Sequence, residues 1–236
     1  MSDLRVLVTG GGRGIGRAIA LRFAREGAKV AVMARTSPEL DTVAAEIEAA
    51  GGLGLAAQMN VRDQGSVEAA VYRAVQFLDE RIDVLVNNAG VFETAPIGEL
   101  STETWVKTME VNLYGPFYVV TECLDALEES ERGHVFNIAS TAARQGFAGS
   151  TAYCASKYGL RGFGDALRLD LADRKIRVST VYPGATDTTI FEGQDGDWDR
   201  SKMNTPDEVA EVIWQAYNAG PDANVDDLDV PNPRRD

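Results

Sequence analysis

Apolar positions follow two alternating rhythms along this chain. Short continuous runs at Leu4–Val8, Lys29–Ala34, Leu53–Met59, Ile82–Val86, His134–Ala139 and Ile176–Tyr182 are rich in Val, Ile, Leu and Ala, as strands buried on both faces are. Between them, apolar residues recur every three or four positions, the spacing of a helix face. Such stretches run from the glycines after Val8 to Gly27 (Ala18, Ile19, Leu21, Phe23), then over Pro38 to Ala50, Gln64 to Leu78, Ser101 to Glu128, and 151–173. Thr205-Pro206-Asp207-Glu208 places a capping residue and an early proline before one more helix, and a last short strand is expected at Val225–Val230. Strands that alternate with helices connect through right-handed crossovers. The pattern predicts an α/β fold, a doubly wound parallel sheet of about seven strands with helices on both faces.

The first strand runs straight into Thr9-Gly10-Gly11-Gly12-Arg13-Gly14-Ile15-Gly16. Glycines at 10, 14 and 16 let the backbone turn sharply, approach a diphosphate and pack the new helix on its strand, while N–H groups at the helix start face the phosphates. Gly12, Arg13 and Ile15 belong to the same cradle. The turn is that of a dinucleotide-binding (Rossmann) sheet, although Gly-x-x-x-Gly-x-Gly differs from the standard Gly-x-Gly-x-x-Gly and is a weak signal by itself.

With 236 residues, 44% of them apolar and no break in composition, the chain reads as one domain over 1–236. A formal charge of −13 opposes binding to nucleic acid or anionic lipid and favours small-molecule work. Met1-Ser2-Asp3 leads directly into a strand without a signal peptide, and no apolar run is long enough to span a bilayer, so a cytoplasmic protein is expected. Cys123 and Cys154 fall in helical patterns and read as free thiols, and the lone His134 reads as structural.

Tyr153 and Lys157 lie four apart in a helical pattern, so both side chains leave one face. Ser140 stands at the end of a strand, the edge where open α/β sheets bind ligands. Carbonyl reduction needs a hydride donor, a hydrogen bond that polarises the carbonyl, and an acid for the emerging alkoxide. Tyr153 is the candidate acid, Ser140 the group that orients the substrate oxygen, and the Lys157 ammonium the expected means of lowering the phenol's pKa.

Taken together, Thr9-Gly-x-x-x-Gly-x-Gly16, Asn87-Asn-Ala-Gly90, Asn112, Ser140, Tyr153-x-x-x-Lys157 and Pro183-Gly184 resemble, in order and over almost the whole chain, the short-chain dehydrogenase/reductase family. The likeness is greatest to the single-domain branch that includes bacterial 3-oxoacyl-carrier-protein reductases. It implies a catalytic tetrad of Asn112, Ser140, Tyr153 and Lys157, with Lys157 also bonding the nicotinamide ribose. It implies that Asn60, Val61 and Asn87 line the adenine side next to Ala89 and Gly90, and that the segment from Pro183 and Gly184 through Thr186 to Thr188 holds the carboxamide end. It also implies that the Asn112 carbonyl, at a break in its helix, holds a water that links to the lysine, and that the protein is a homo-oligomer, dimer or tetramer. The Thr-Gly-Gln and Asp-Gly-Gly pattern of carrier-protein reductases is absent from the C-terminal part, so the substrate stays open within carbonyl compounds and alcohols.

Several further expectations come from the residues themselves. The second strand ends Ala34-Arg35 where an acid would select an unphosphorylated ribose, and Arg35 with Arg13 suits the 2′-phosphate of NADP(H). Residues 186–204 read as a mobile substrate loop, with Phe191 and Trp198 as apolar contacts among Glu192, Asp195, Asp197 and Asp199. Pro116 lacks the N–H that would bond the Asn112 carbonyl in an α-helix and so leaves it free. Phe117, Val120, Leu124, Leu160, Phe163 and Leu167 suggest apolar helix faces that need a partner. The competing function is a nucleotide-binding regulatory protein of the same fold without catalysis. A sensor needs the glycine turn but has no use for a proton donor.

Overall fold

The chain was analysed as a computed structural model, which describes residues 4–194, 198–220, 223 and 225–232. Its strands and helices alternate: β1 Arg5–Thr9, α1 Gly14–Ala24, β2 Lys29–Ala34, α2 Ser37–Ala49, β3 Leu53–Gln58, α3 Gln64–Phe77 and β4 Val84–Asn87. Then come α4 Thr102–Met109, α5 Gly115–Glu128, β5 His134–Ile138, α6 Thr151–Asp170, β6 Arg177–Pro183, α7 Pro206–Asn218 and β7 Asp227–Val230. The strands form one parallel sheet in the order β3-β2-β1-β4-β5-β6-β7, so the winding reverses between β1 and β4. Adjacent crossovers there diverge to opposite faces and open the crevice in which such sheets bind ligands.

Alternation along each strand feeds two cores. Val6 and Val8 of β1, Val30 and Val32 of β2, and Val84 and Val86 of β4 pack with Ile19 and Phe23 of α1, Ile47 of α2 and Ile213 of α7. The intervening Leu7, Ala31, Met33 and Leu85 face the other way, onto Val67 and Val71 of α3 and Val119 and Cys123 of α5. Both faces of the central strands are thus dry, which explains why their sequences read as unbroken apolar runs. The helix starts are fastened as expected: Asp63 accepts from Ser66 N (3.2 Å) at α3, and Thr205 and Glu208 form a reciprocal capping box at α7, with Pro206 in its first turn.

Element bounds differ from the sequence reading in several places, among them β4, which begins at Val84 rather than Ile82. The 101–128 helix is two helices, joined by a π-helical turn at Glu110–Tyr114. The 151–173 helix stops at Asp170 and tightens into a 3-10 turn at Ala172–Arg174. The last strand begins two residues later than expected, at Asp227. Residues 186–204 are tied at their base, where Thr186 pairs with Asn204 and Asp187 N donates to Asn204 O (2.9 Å). Asp195 and Asp197 of that loop, and Met1, Ser2 and Asp3, lie outside the described residues. No helix among the described residues is long and apolar enough to cross a membrane.

Candidate active site

The crevice at the reversal point opens beside the glycine turn, and close contact explains the glycines. A Cβ on Gly16 would lie 2.4 Å from the Gly10 carbonyl oxygen and 2.5 Å from Asn88 Nδ2, while Gly10 itself holds φ at +62° with Ala89 Cα 2.9 Å from where its Cβ would be. Asn88 Nδ2 donates to both Thr9 O and Gly10 O at 3.0 Å, and Thr9 Oγ1 accepts from Asn88 N and Ala89 N. The turns after β1 and β4 are therefore locked together. Arg13, at the N-cap of α1, makes no capping bond with its side chain, which leaves the first helical N–H groups available to an anion.

From this turn a shallow cleft runs along Gly10, Gly12, Arg13 and Ile15, past Ala34 and Arg35 at the end of β2, to Asn60 and Val61, with Ala89, Gly90 and Thr188 on its other bank. An elongated dinucleotide fits these walls: main chain where phosphates would approach, and an exposed guanidinium at Arg35 beyond the second strand. Sequence reasoning missed Glu39 in the first turn of α2, which also lines the cleft and lies 3.7 Å from Arg13. One of the two expected phosphate ligands therefore has an acid beside it.

Four predicted cofactor or catalytic residues line neither this cleft nor the cavity at its other end. Gly14 and Gly16 act through backbone geometry, Gly14 at φ +54° with Thr188 Cγ2 3.0 Å from where a Cβ would be. Asn87 is the last residue of β4, in register with Asn137, and its buried amide donates to Asn137 Oδ1 (2.9 Å); Asn88, one step past the strand, faces the crevice instead. The Asn112 carboxamide clamps residue 91, accepting from Val91 N (2.8 Å) and donating to Val91 O (2.9 Å) and Ser156 Oγ (3.0 Å). Around Asn112 the break in the helix is wider than a proline kink, because Gly115 N reaches back to Glu110 O in the π turn and Pro116 sits in the first turn of α5.

The other end of the crevice deepens into a cavity of about 800 Å³ that shares Ile15, Asn88, Gly90, Thr188 and Ile190 with the cleft. Ser140, just past β5, and Tyr153 and Lys157, one helical turn apart on α6, meet in its wall with Pro183, Gly184 and Thr186. Ser140 Oγ accepts from Ala142 N (3.1 Å), which leaves its own proton to donate to the Tyr153 oxygen. Burial pushes the Tyr153 phenol up to about 12, opposed by that bond from Ser140. Lys157 Nζ donates to Ile138 O (2.7 Å), lies 5.7 Å from the Tyr153 ring centre, and is pushed down by burial to about 8. The expected lowering of the phenol by Lys157 is therefore not found. Burial raises the phenol's pKa and outweighs what lowers it. At neutral pH this is a protonated phenol beside an ammonium.

Three groups in this wall were not legible as site residues. Phe92 packs edge-on to Tyr153 (4.8 Å between ring centres) and also meets Phe191 and Trp198. Thr94 N donates to Gln194 Oε1 (3.0 Å), tying the 186–204 loop down over the cavity. Asn232 brackets Ala185, accepting from its N (3.0 Å) and donating to its O (2.6 Å). His134 is buried away from the crevice, stacked on Phe136 and 2.7 Å from Ser179 Oγ.

A crevice at the β1/β4 reversal that joins a glycine cradle to a Ser–Tyr–Lys group defines a dinucleotide-dependent oxidoreductase architecture. The chain belongs to the short chain dehydrogenase family, whose model matches residues 5–198. It is similar to a sepiapterin reductase of Chlorobaculum tepidum, 34% identical over 90% of this chain and 89% of that one. It is also similar to a 3-oxoacyl-[acyl-carrier-protein] reductase of Synechocystis sp., 34% identical over 93% and 94% of the two chains. Among solved structures, an alcohol dehydrogenase from the archaeon Thermococcus sibiricus complexed with 5-hydroxy-NADP superposes with a TM-score of 0.88 at 27% identity, covering 95% of this chain and 94% of that one.

Proposed function

We propose that residues 1–236 form one catalytic unit, an NADP(H)-dependent oxidoreductase that interconverts a carbonyl compound and its alcohol, with Tyr153 as general acid and base. The observation that carries this reading is the convergence of Ser140, Tyr153 and Lys157 on a cavity continuous with the glycine-walled cleft. NADPH, when bound, supplies a hydride to the carbonyl carbon. Ser140 turns its proton to the carbonyl oxygen and polarises it. As the C=O π bond opens, Tyr153 gives its proton to that oxygen; a phenol held near 12 is fully protonated at neutral pH and ready as an acid. Lys157 keeps a positive charge beside the phenolate that results, which stabilises it until solvent returns the proton.

NADP(H) is favoured over NAD(H) by Arg35, exposed at the end of β2 where an acid would otherwise meet the ribose, and by the cofactor analogue in the archaeal relative's structure. The same reading places the protein in the cytoplasm as a homo-oligomer, a dimer or tetramer. Of the apolar residues expected to need a partner, Val120 and Leu160 are buried in the protein's own core and Phe117 is exposed. Tyr114, Tyr158 and Leu169 are exposed with it on the π turn and α6, and they carry the case for an interface.

The test is NADPH oxidation with a panel of ketones, repeated in Tyr153→Phe. Turnover falls at least about a hundredfold while NADPH affinity stays within about threefold, because one acidic proton is lost and little volume changes. Retention of more than about a tenth of the rate would remove Tyr153 from the chemistry and bring forward the non-catalytic regulatory alternative.

A further inference from the structure

We propose that the substrate is an uncharged ketone borne on a planar aromatic framework, an inference that rests on the oxidoreductase reading above. Its first support is the ring wall. Phe92 stands edge-on between Tyr153 (4.8 Å), Phe191 (5.7 Å) and Trp198 (6.0 Å), and Phe191 meets Trp198 at 4.7 Å, so three rings continue outward from the proton donor itself. These rings come from three segments of the chain and share one cavity. Faces and edges of this kind gain most from a flat, polarisable partner.

The second support is the charge of the lining. No Asp, Glu or Arg lines the cavity among the described residues, and its one ammonium, Lys157, is bonded to the Ile138 carbonyl. The cations on neighbouring segments have partners already: Arg144 pairs with Asp227 and Asp229 and stacks on Tyr182, Arg200 pairs with Asp187, and Lys202 pairs with Asp199. A carboxylate carried beyond Tyr153 among the rings of the outer cavity would lose its water with no cation beside it. Neutral groups such as Gln145 and Ser150 remain for the polar atoms of a neutral substrate.

Matched substrates separate the two supports. With NADPH, ethyl benzoylacetate is reduced with kcat/KM at least about a hundredfold above benzoylacetate, its anion, and about tenfold above ethyl acetoacetate, which lacks the ring. Trp198→Leu brings the phenyl preference below about threefold. Without cofactor, 2-acetylnaphthalene quenches tryptophan fluorescence, and Trp198→Phe removes that quenching. An anion reduced as well as its ester, or a methyl ketone as well as its phenyl counterpart, overturns this inference and leaves the oxidoreductase reading standing. If no ketone is reduced although NADPH binds, the oxidoreductase reading fails. The quenching experiment then decides separately whether the cavity takes neutral aromatic ketones, and absence of quenching overturns that as well.

Discussion

At the nucleotide end of the crevice the wall is main chain, with Gly10 and Gly12 bringing backbone to the surface, Gly16 packed close behind them and Asn88 stitching two turns together. At the substrate end the wall is side chains, with Phe92, Tyr153, Phe191 and Trp198 delivered by segments far apart in sequence. The first construction tolerates almost no added atom. The second can exchange one ring for another and stay folded, so one scaffold can keep its cofactor while its substrate changes.

Gly16→Ala tests the stricter half. With 2.4 Å from the new methyl to the Gly10 oxygen, either the turn opens or α1 withdraws from β1. The expected outcome is a loss of NADPH affinity of at least about a hundredfold by calorimetry, with destabilisation of about 2–3 kcal/mol in urea. Near-normal affinity would mean that the turn yields as easily as the ring wall.

Lys157 shows that the side-chain half is held at a cost in stability. Its pKa in the folded protein is about 8 against 10.5 in an unfolded chain, so between those values the unfolded chain binds more proton. Stability contributed by this group therefore rises from pH 8 to 10.5, and the full penalty is present below pH 8. Lys157→Met is expected to be inactive yet more stable at pH 7 by up to about 3 kcal/mol, with the gain vanishing above about pH 10.5. Equal or lower stability of the variant at pH 7, read from urea titrations at both pH values, would show that the bond to Ile138 already offsets the burial.

Arg35→Ala addresses a place where the nucleotide half depends on a side chain. The preference for NADPH over NADH should fall about tenfold, a loss of about 1.4 kcal/mol, and Glu39→Gln should move it the other way by a smaller factor. An unchanged ratio of catalytic efficiencies in Arg35→Ala would move 2′-phosphate recognition elsewhere.

The same contrast decides what could be read in advance. Strand and helix order and the glycine turn were legible because burial on two faces and close backbone approach each leave a local pattern, as in Val6 to Val8 and Gly10 to Gly16. The Ser140, Tyr153 and Lys157 set was legible from spacing and strand position. Asn87 and Asn88 were not distinguishable in sequence because composition cannot say which of two asparagines is the last in the strand; register with Asn137 does. The π turn was hidden since Glu110 to Tyr114 keeps helical spacing. Phe92 and Asn232 carry no motif, and their roles come from contacts made across the fold. The direction of the Tyr153 shift depends on burial, which a count of nearby charges does not give.

The bracket of Asn232 on Ala185 has a consequence in time. A polypeptide leaves the ribosome from its N-terminus at roughly 5–20 residues per second, so Asn232 emerges on the order of ten seconds or more after the glycine turn. By then β1 to β4, four adjacent strands of the sheet, have all been made, and the glycine turn has its neighbours. Ala185 meanwhile waits for a carboxamide that has not yet been synthesised, along with the β7 strand that carries it into place. A nascent chain can thus form its glycine turn before Ala185 is braced, and the segment that carries Thr186 and Thr188 to the crevice is fixed only once Asn232 has been made.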